Sequence, residues 1–172
     1  MIAEEEARRL RQLYSLSTPV DVKATAERLG IAVMMNQLEA DVSGMLILHG
    51  GRAFIAVNQG HHRTRQRFSI AHEIGHYVLH RGKSDLFVDG SYSMHRDSQS
   101  STGEVIWEIQ ANAFAAELLV PELELRSIVG ARQIDPFDET TIRRIAAHFD
   151  VSPYALSVRL GALGLSGHPT LL

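Results

Sequence analysis

The 172-residue chain contains no cysteine. Disulfides and thiolate metal ligands are thereby excluded, and any metal must be held by His, Asp or Glu. The same absence fits a cytoplasmic setting. No uninterrupted apolar run approaches the ~20 residues that a membrane-spanning helix needs. The opening segment MIAEEEARRLRQLY is charged and amphipathic and lacks the apolar stretch of a secretory signal. The expectation is therefore a cytoplasmic protein with no membrane partner. An excess of positive charge is also missing: the net charge is −3 and the pI is near 6.3. Chains that hold nucleic acid by charge are usually basic, so this balance argues against direct nucleic-acid binding. Repeats and low-complexity tracts are absent too. What is present is a core: 45% of the residues are apolar, enough for about one globular domain at this length.

Three short runs, IAVMMN, SGMLILH and RAFIAVN, have the composition of strands. Gly50 and Gly51 between the last two signal a hairpin. Helices are expected over EEEARRLRQLY and over STPVDVKATAERLG, the second with Ser17 or Thr18 near its start and Gly30 at its end. Further helices are expected from Arg63 to His80, from Gly103 to Val120 and over PELELRSIVG. Residues 81–103 are rich in Gly, Ser and Asp and read as one long loop. The tail DETTIRRIAAHFDVSPYALSVRLGALGL reads as helix–turn–helix.

One of these helices carries an odd stripe. Its second half reads SIAHEIGHYVLH. At about 100° per residue, His72, His76, Ser69, His80 and Glu73 fall within one arc of about 100°. Phe68, Ile70, Ala71, Ile74, Tyr77, Val78 and Leu79 fill the rest of the circle. Solvent faces are ordinarily built from Lys, Glu, Gln and Arg, not from three imidazoles. The pattern is HExxH. Two histidines at i and i+4 chelate one divalent metal from the same helix face. The intervening Glu73 leans toward the open side of the metal and acts there as general base on a bound water.

A catalytic zinc takes three protein ligands and keeps one position open. His80 lies about 12 Å along the axis from His72, so it reads as a helix-end residue behind the ligands. A third histidine at HExxHxxGxxH spacing is ruled out by Leu79 and Gly82. A Glu from a second helix remains, and EVIWEIQANAFAAELLVP offers Glu104, Glu108 and Glu117. Ser101 and Glu104 form a capping box, which occupies Glu104. Glu117 falls beside Gln110 on the polar side of the wheel. Glu108 falls in an apolar arc, where a bare carboxylate needs a partner. A metal would supply one; an ion pair with Arg65 or Arg67 is the alternative. Asn112, at i+4 from Glu108, could orient it.

These residues carry a resemblance. PVDVKATAERLGI, SGMLI with IAVN, RQRFSIAHEIGHYVLH, EVIWEIQANAFAAELLVP and VSPYALSVRLGALGL together resemble the ImmA/IrrE metallopeptidases over nearly the whole chain. The resemblance implies a gluzincin-like site of His72, His76 and Glu108, with Glu73 as catalytic base and one Zn2+ per chain. Mn2+ suits the same donors. It implies an α+β fold: a mostly helical zincin-like core with a small antiparallel or mixed sheet and a helix–turn–helix-like C-terminal segment. The corresponding division is 1–130 for the peptidase domain and 131–172 for the segment packed on it. It also implies a job, which is to cleave a helix–turn–helix repressor and so derepress stress-response, mobile-element or toxin–antitoxin genes.

Several details stay open in the sequence. A second oxyanion donor could be Tyr77, Tyr92, His80 or His95; Tyr77 points away and is expected to pack, while Tyr92 and His95 sit in the long loop. An extended substrate could add to a sheet edge, with SGMLILH or RAFIAVN as the docking strand. Two rival readings are a DNA-binding regulator with a structural or sensory metal, and a module that binds the repressor without cutting it. The second tail helix offers DNA only Arg159, with Arg143 and Arg144 before it, and phosphate contacts dominate DNA affinity. Tyr154, Ala155, Leu156, Val158, Leu160 and Leu163 look instead like a packing surface.

Overall fold

The structure, a computed structural model, describes residues 2–90 and 101–167. It is α+β. The elements run α1 (Ile2–Leu13), α2 (Val22–Arg28), β1 (Ile31–Asn36), β2 (Val42–His49), β3 (Arg52–Asn58), α3 (Arg63–His80), β4 (Leu86–Gly90), α4 (Ser101–Leu119), α5 (Glu122–Val129), α6 (Glu139–Phe149) and α7 (Pro153–Ala162). The four strands form one mixed sheet in the order β1-β3-β2-β4. β1 runs parallel to β3, and the other two pairings are antiparallel.

Local chemistry explains most of these boundaries. Gly50 and Gly51 both adopt positive φ, 57° and 74°, as a tight hairpin between right-twisted strands demands. The start of α2 differs from the sequence expectation: its cap is Asp21, whose side chain accepts from the Ala24 amide. Thr18 is occupied elsewhere, donating to Glu124 at 2.6 Å and accepting from Arg11 at 3.1 Å. α3 begins behind His62, whose side chain accepts from the Thr64 amide.

The expected long loop is interrupted. Residues 86–90 form β4, which pairs with β2 from Leu86 opposite Ile47 to Gly90 opposite Val42. Phe87 inserts into the core, and that burial holds a strand too short to stand out among its polar neighbours. Tyr92 and His95 lie outside the described residues. The docking strands expected from the sequence also need correction. β2 is paired on both sides by β3 and β4, and β3 by β1 and β2. Neither has a free edge; among the described residues the outer strands are β1 and β4.

The core is continuous. Ile142, Ile145 and Phe149 of α6 and Leu156 and Leu160 of α7 belong to the same buried cluster as Ala7, Ile55, Ile74 and Phe114. Tyr154 and Val158, expected to pack, instead face outward at 79% and 56% exposure. α7 is fixed by charge as well. Arg159 is buried and pairs with the buried Glu117, while its Nε donates to the Val120 carbonyl at 3.2 Å. Glu117 thus lies on a covered face of α4, not on a polar one, because α1 and α7 close over it; Arg8 reaches it at 3.4 Å. No helix among the described residues is long and apolar enough to cross a membrane.

Removing one member of a buried pair strands the other. Arg159→Ala is expected to cost about 3 kcal/mol in urea unfolding. Replacing both members by Leu and Met should recover most of that loss, and a single variant as stable as wild type would refute this role for the pair.

Candidate metal centre

The site is made by two helices that approach unusually closely. α3 and α4 meet at Gly75 and Ala111, where a Cβ on residue 75 would lie 3.2 Å from the Ala111 Cα and carbonyl oxygen. Only glycine leaves this space without displacing α4. With the backbones so close, the stripe on α3 faces one carboxylate of α4. His72 Nε2 lies 3.1 Å from one Glu108 oxygen, and His76 Nε2 lies 3.1 Å from the other. The two Nε2 atoms are 3.0 Å apart. Ligand atoms about 2.0–2.1 Å from a tetrahedral zinc stand about 3.3 Å from one another. The observed separations are a few tenths shorter, so the two imidazole nitrogens and the carboxylate fit a divalent cation.

Behind the ligands, hydrogen bonds fix which nitrogens are free. His72 Nδ1 lies 3.1 Å from Asn112 Oδ1. An amide oxygen only accepts, so His72 carries its proton on Nδ1 and leaves the Nε2 lone pair free. Asn112 therefore orients His72, not Glu108 as the helical spacing suggested. His80 Nε2 donates to Gln110 Oε1 at 2.8 Å. Its Nδ1 is then an acceptor for His76 Nδ1–H at 3.2 Å, which frees His76 Nε2. His80 thus contacts His76 and lies outside the His72–His76–Glu108 group. Trp107 stacks on His80 with centroids 5.7 Å apart, and Phe87 stacks on His76 at 4.6 Å. Such partners are what keep a metal-binding imidazole in one tautomer and orientation.

Glu73 is the outlier. It is fully buried, and neither carboxylate oxygen has a partner within good hydrogen-bond geometry; the Leu46 backbone lies near enough only to oppose the rise in its pKa weakly. Burial pushes its pKa up to about 8; the nearby His72 opposes this, while Asp89 and Glu108 add to it. Burial would lower the His72 pKa, but the hydrogen bond to Glu108, with the charges of Glu73 and Asp89, carries it up to about 9. Burial would raise Glu108, but the neighbouring His72 and His76 rings hold it down to about 2. His72 and Glu108 thus form an ion pair within the triangle.

The other sequence candidates fall apart spatially. Glu117 is engaged with Arg159. Arg65 donates to Ser43 Oγ at 2.8 Å, and Arg67 pairs with Asp150 at 3.0 Å, so neither takes Glu108. Glu108 itself is less buried than its place on the wheel implied, with its side chain 32% exposed. Tyr77 lines a cavity with Gly30, Leu48 and Asp85, under Arg81, away from the triangle. Two neighbours were missed. Gln110 closes the ring chain from the opposite shoulder of α4 to Glu108. Asp89 on β4 brings a carboxylate oxygen into a group with His72 and Glu73, all within 4.8 Å of one another. The alternation in LFVD was the available signal for Asp89, and four residues were too few for it to register.

The family described as the IrrE N-terminal-like domain, a peptidase family, matches residues 26–161. The chain belongs to this family. It is 30% identical to the metallopeptidase ImmA of Bacillus subtilis over 99 residues, covering 58% of the chain and 51% of that protein. It is 38% identical to the radiation response metalloprotease IrrE of Deinococcus radiodurans over 68 residues, 40% of the chain and 19% of that protein. An uncharacterized immunity region protein of Bacillus phage phi105 is 26% identical over 114 residues, 66% of the chain and 65% of that protein. The chain thus spans less than two thirds of the length of each of these relatives. A Mycobacterium tuberculosis transcriptional regulator has the same fold over 92% of this chain and 46% of its own, with a TM-score of 0.62 at 19% identity. Membership of a metallopeptidase family implies a divalent metal, and His72, His76 and Glu108 are a group able to hold one.

Two outcomes are expected. Gly75→Ala should push α4 outward and lower zinc affinity by about tenfold or more, since ligand positions must be kept to a fraction of an ångström; circular dichroism should stay unchanged, and unchanged affinity would remove the close approach as the cause of the triangle. Metal uptake needs neutral His72, and a group raised to about 9 is protonated at pH 7. Zinc binding at pH 7 should therefore release a proton and tighten as pH rises toward 9. Calorimetry in buffers of different ionisation enthalpy reads this directly.

Proposed function

We propose that the chain is a zinc-dependent metalloendopeptidase of zincin type that cleaves a helix–turn–helix transcriptional repressor. The observation that carries the reading is Glu73: a fully buried carboxylate without a hydrogen-bond partner, beside a triangle of donors suited to a metal. An unpaired buried acid of this kind costs stability and makes sense as a proton acceptor for catalysis.

The geometry supports the following residue roles. His72, His76 and Glu108 hold the cation, with Asn112, His80 and Gln110 fixing the two rings. Zinc held there would supply Lewis acidity, lowering the pKa of water and stabilising negative charge on a carbonyl oxygen; Mn2+ suits the same donors. Glu73 accepts the proton of the attacking water on a carboxylate oxygen as the carbon–oxygen bond forms. It then returns that proton to the amine nitrogen as the carbon–nitrogen bond breaks. Burial raises the proton affinity of Glu73, which favours the first half of this cycle, and it excludes competing water from both.

The outer edge of β4 is the docking strand this reading needs. The Leu48 amide donates to the Asp85 carbonyl, so alternate residues from Asp85 onward pair with β2. Leu86 and Val88 turn their backbone groups outward. Those of Leu86 are taken by Ser84 Oγ, which leaves Val88 to bind an extended peptide by strand addition. The repressor as substrate comes from the family resemblance and accords with the names of the relatives, one from an immunity region and one from a radiation response. A DNA-binding reading is disfavoured by Arg159, the one basic residue of α7, which is buried in its pair with Glu117.

Purified with zinc, the chain should cut its repressor, and Glu73→Gln should abolish cutting by at least ~100-fold while retaining one zinc per chain. Glu108→Ala should lose both metal and activity. Relief of repression by the zinc-loaded Glu73→Gln variant would replace cleavage with simple binding.

A further inference from the structure

The peptidase reading leaves one acidic side chain unused. Asp89 stands on β4, two residues beyond the buried Phe87, so both side chains face α3. Its carboxylate belongs to the tight group with His72 and Glu73. Among the described residues it has no ion-pair or hydrogen-bond partner. Glu73, fully buried beside it with both oxygens unpartnered, repels it rather than offsetting its charge.

A divalent cation on His72, His76 and Glu108 takes Glu108 as its carboxylate donor, so Asp89 lies outside the donor group even when the site is loaded. The half-buried Asp89 has no arginine or lysine partner among the described residues, and the outer edge of β4 is left unpaired by every other described strand. A peptide strand added there sets one residue directly opposite Asp89, with its side chain on the same face of the sheet. Opposite charges in such cross-strand pairs attract, and like charges are disfavoured.

We infer that Asp89 is a specificity-determining residue that selects substrates carrying an arginine or lysine beside the scissile bond. The inference rests on the proposed peptidase function and names the class of peptide that function takes. An acidic residue at the same position is repelled by Asp89, so selection works by attraction and by exclusion.

The test uses the zinc-loaded full chain carrying Glu73→Gln, which binds without turnover. The probes are capped octapeptides in which Arg, Leu or Glu is scanned through each position, with binding read from the fluorescence of Trp107, the only tryptophan. One position should show Arg tightening binding about fivefold or more over Leu, with Glu weaker than Leu. Adding Asp89→Asn should reduce the Arg advantage below about twofold with metal content unchanged, and Asp89→Lys should transfer the advantage to Glu. An Arg advantage that survives Asp89→Asn, equal binding of all three series, or no binding would overturn the inference. The chain with Glu73 intact is run on the same peptides. Cleavage without preference for a basic residue sinks Asp89 and spares the peptidase; Arg-selective binding with no cleavage does the reverse.

Discussion

The close approach of α3 to α4 at Gly75 and Ala111 governs everything else in the site. Two helices at ordinary separation would hold their side chains too far apart for one carboxylate to reach two imidazoles. Here a missing Cβ lets the backbones nearly touch, and Glu108 bridges His72 and His76 at equal distance. The cost is the conformational freedom of a helical glycine, about 1 kcal/mol relative to alanine. Burial of Ile74, Phe114 and Leu118 along the same contact offsets it. The metal-binding geometry is thus a property of helix packing first and of ligand chemistry second.

Around that contact the protein arranges charge with little compensation. Neutral side chains, Asn112 and Gln110, hold the ring protons, and aromatic rings of Phe87 and Trp107 wall the histidines. No described arginine or lysine pairs with Glu73 or Asp89. Cations are placed elsewhere, at Glu117 and Asp150, where they tie α7 and α6 to the body. The same chain therefore uses buried ion pairs for cohesion on one side of α4 and withholds them on the other.

Legibility in the sequence followed the range of the interaction. His72, Glu73 and His76 were readable because helical period alone sets them on one stripe. Glu108 stood out as an acid among apolar residues, although its actual half-exposed setting differs. Asn112 was noticed through its spacing from Glu108 but serves His72, forty residues away in sequence. Glu117 looked solvent-facing because its partner Arg159 lies 42 residues ahead. β4 and Asp89 were hidden because five residues among Gly, Ser and Asp give no period, and only pairing with β2 makes them a strand. Gly75 carries no signal of its necessity; the atom it would strike belongs to residue 111.

Arg63 and Arg67 at the start of α3 are held by Asp150, at separations of 87 and 83 residues. Asp150 is itself in the left-handed conformation, at φ 55°, that ends α6. On the ribosome, the helix bearing the two histidines emerges long before the residue that anchors its first turn, and before the strand and helix that wall its last. Contacts of such long range form slowly and late. The nascent chain therefore carries His72 and His76 without their final alignment until residue 150 and the elements around it have been made.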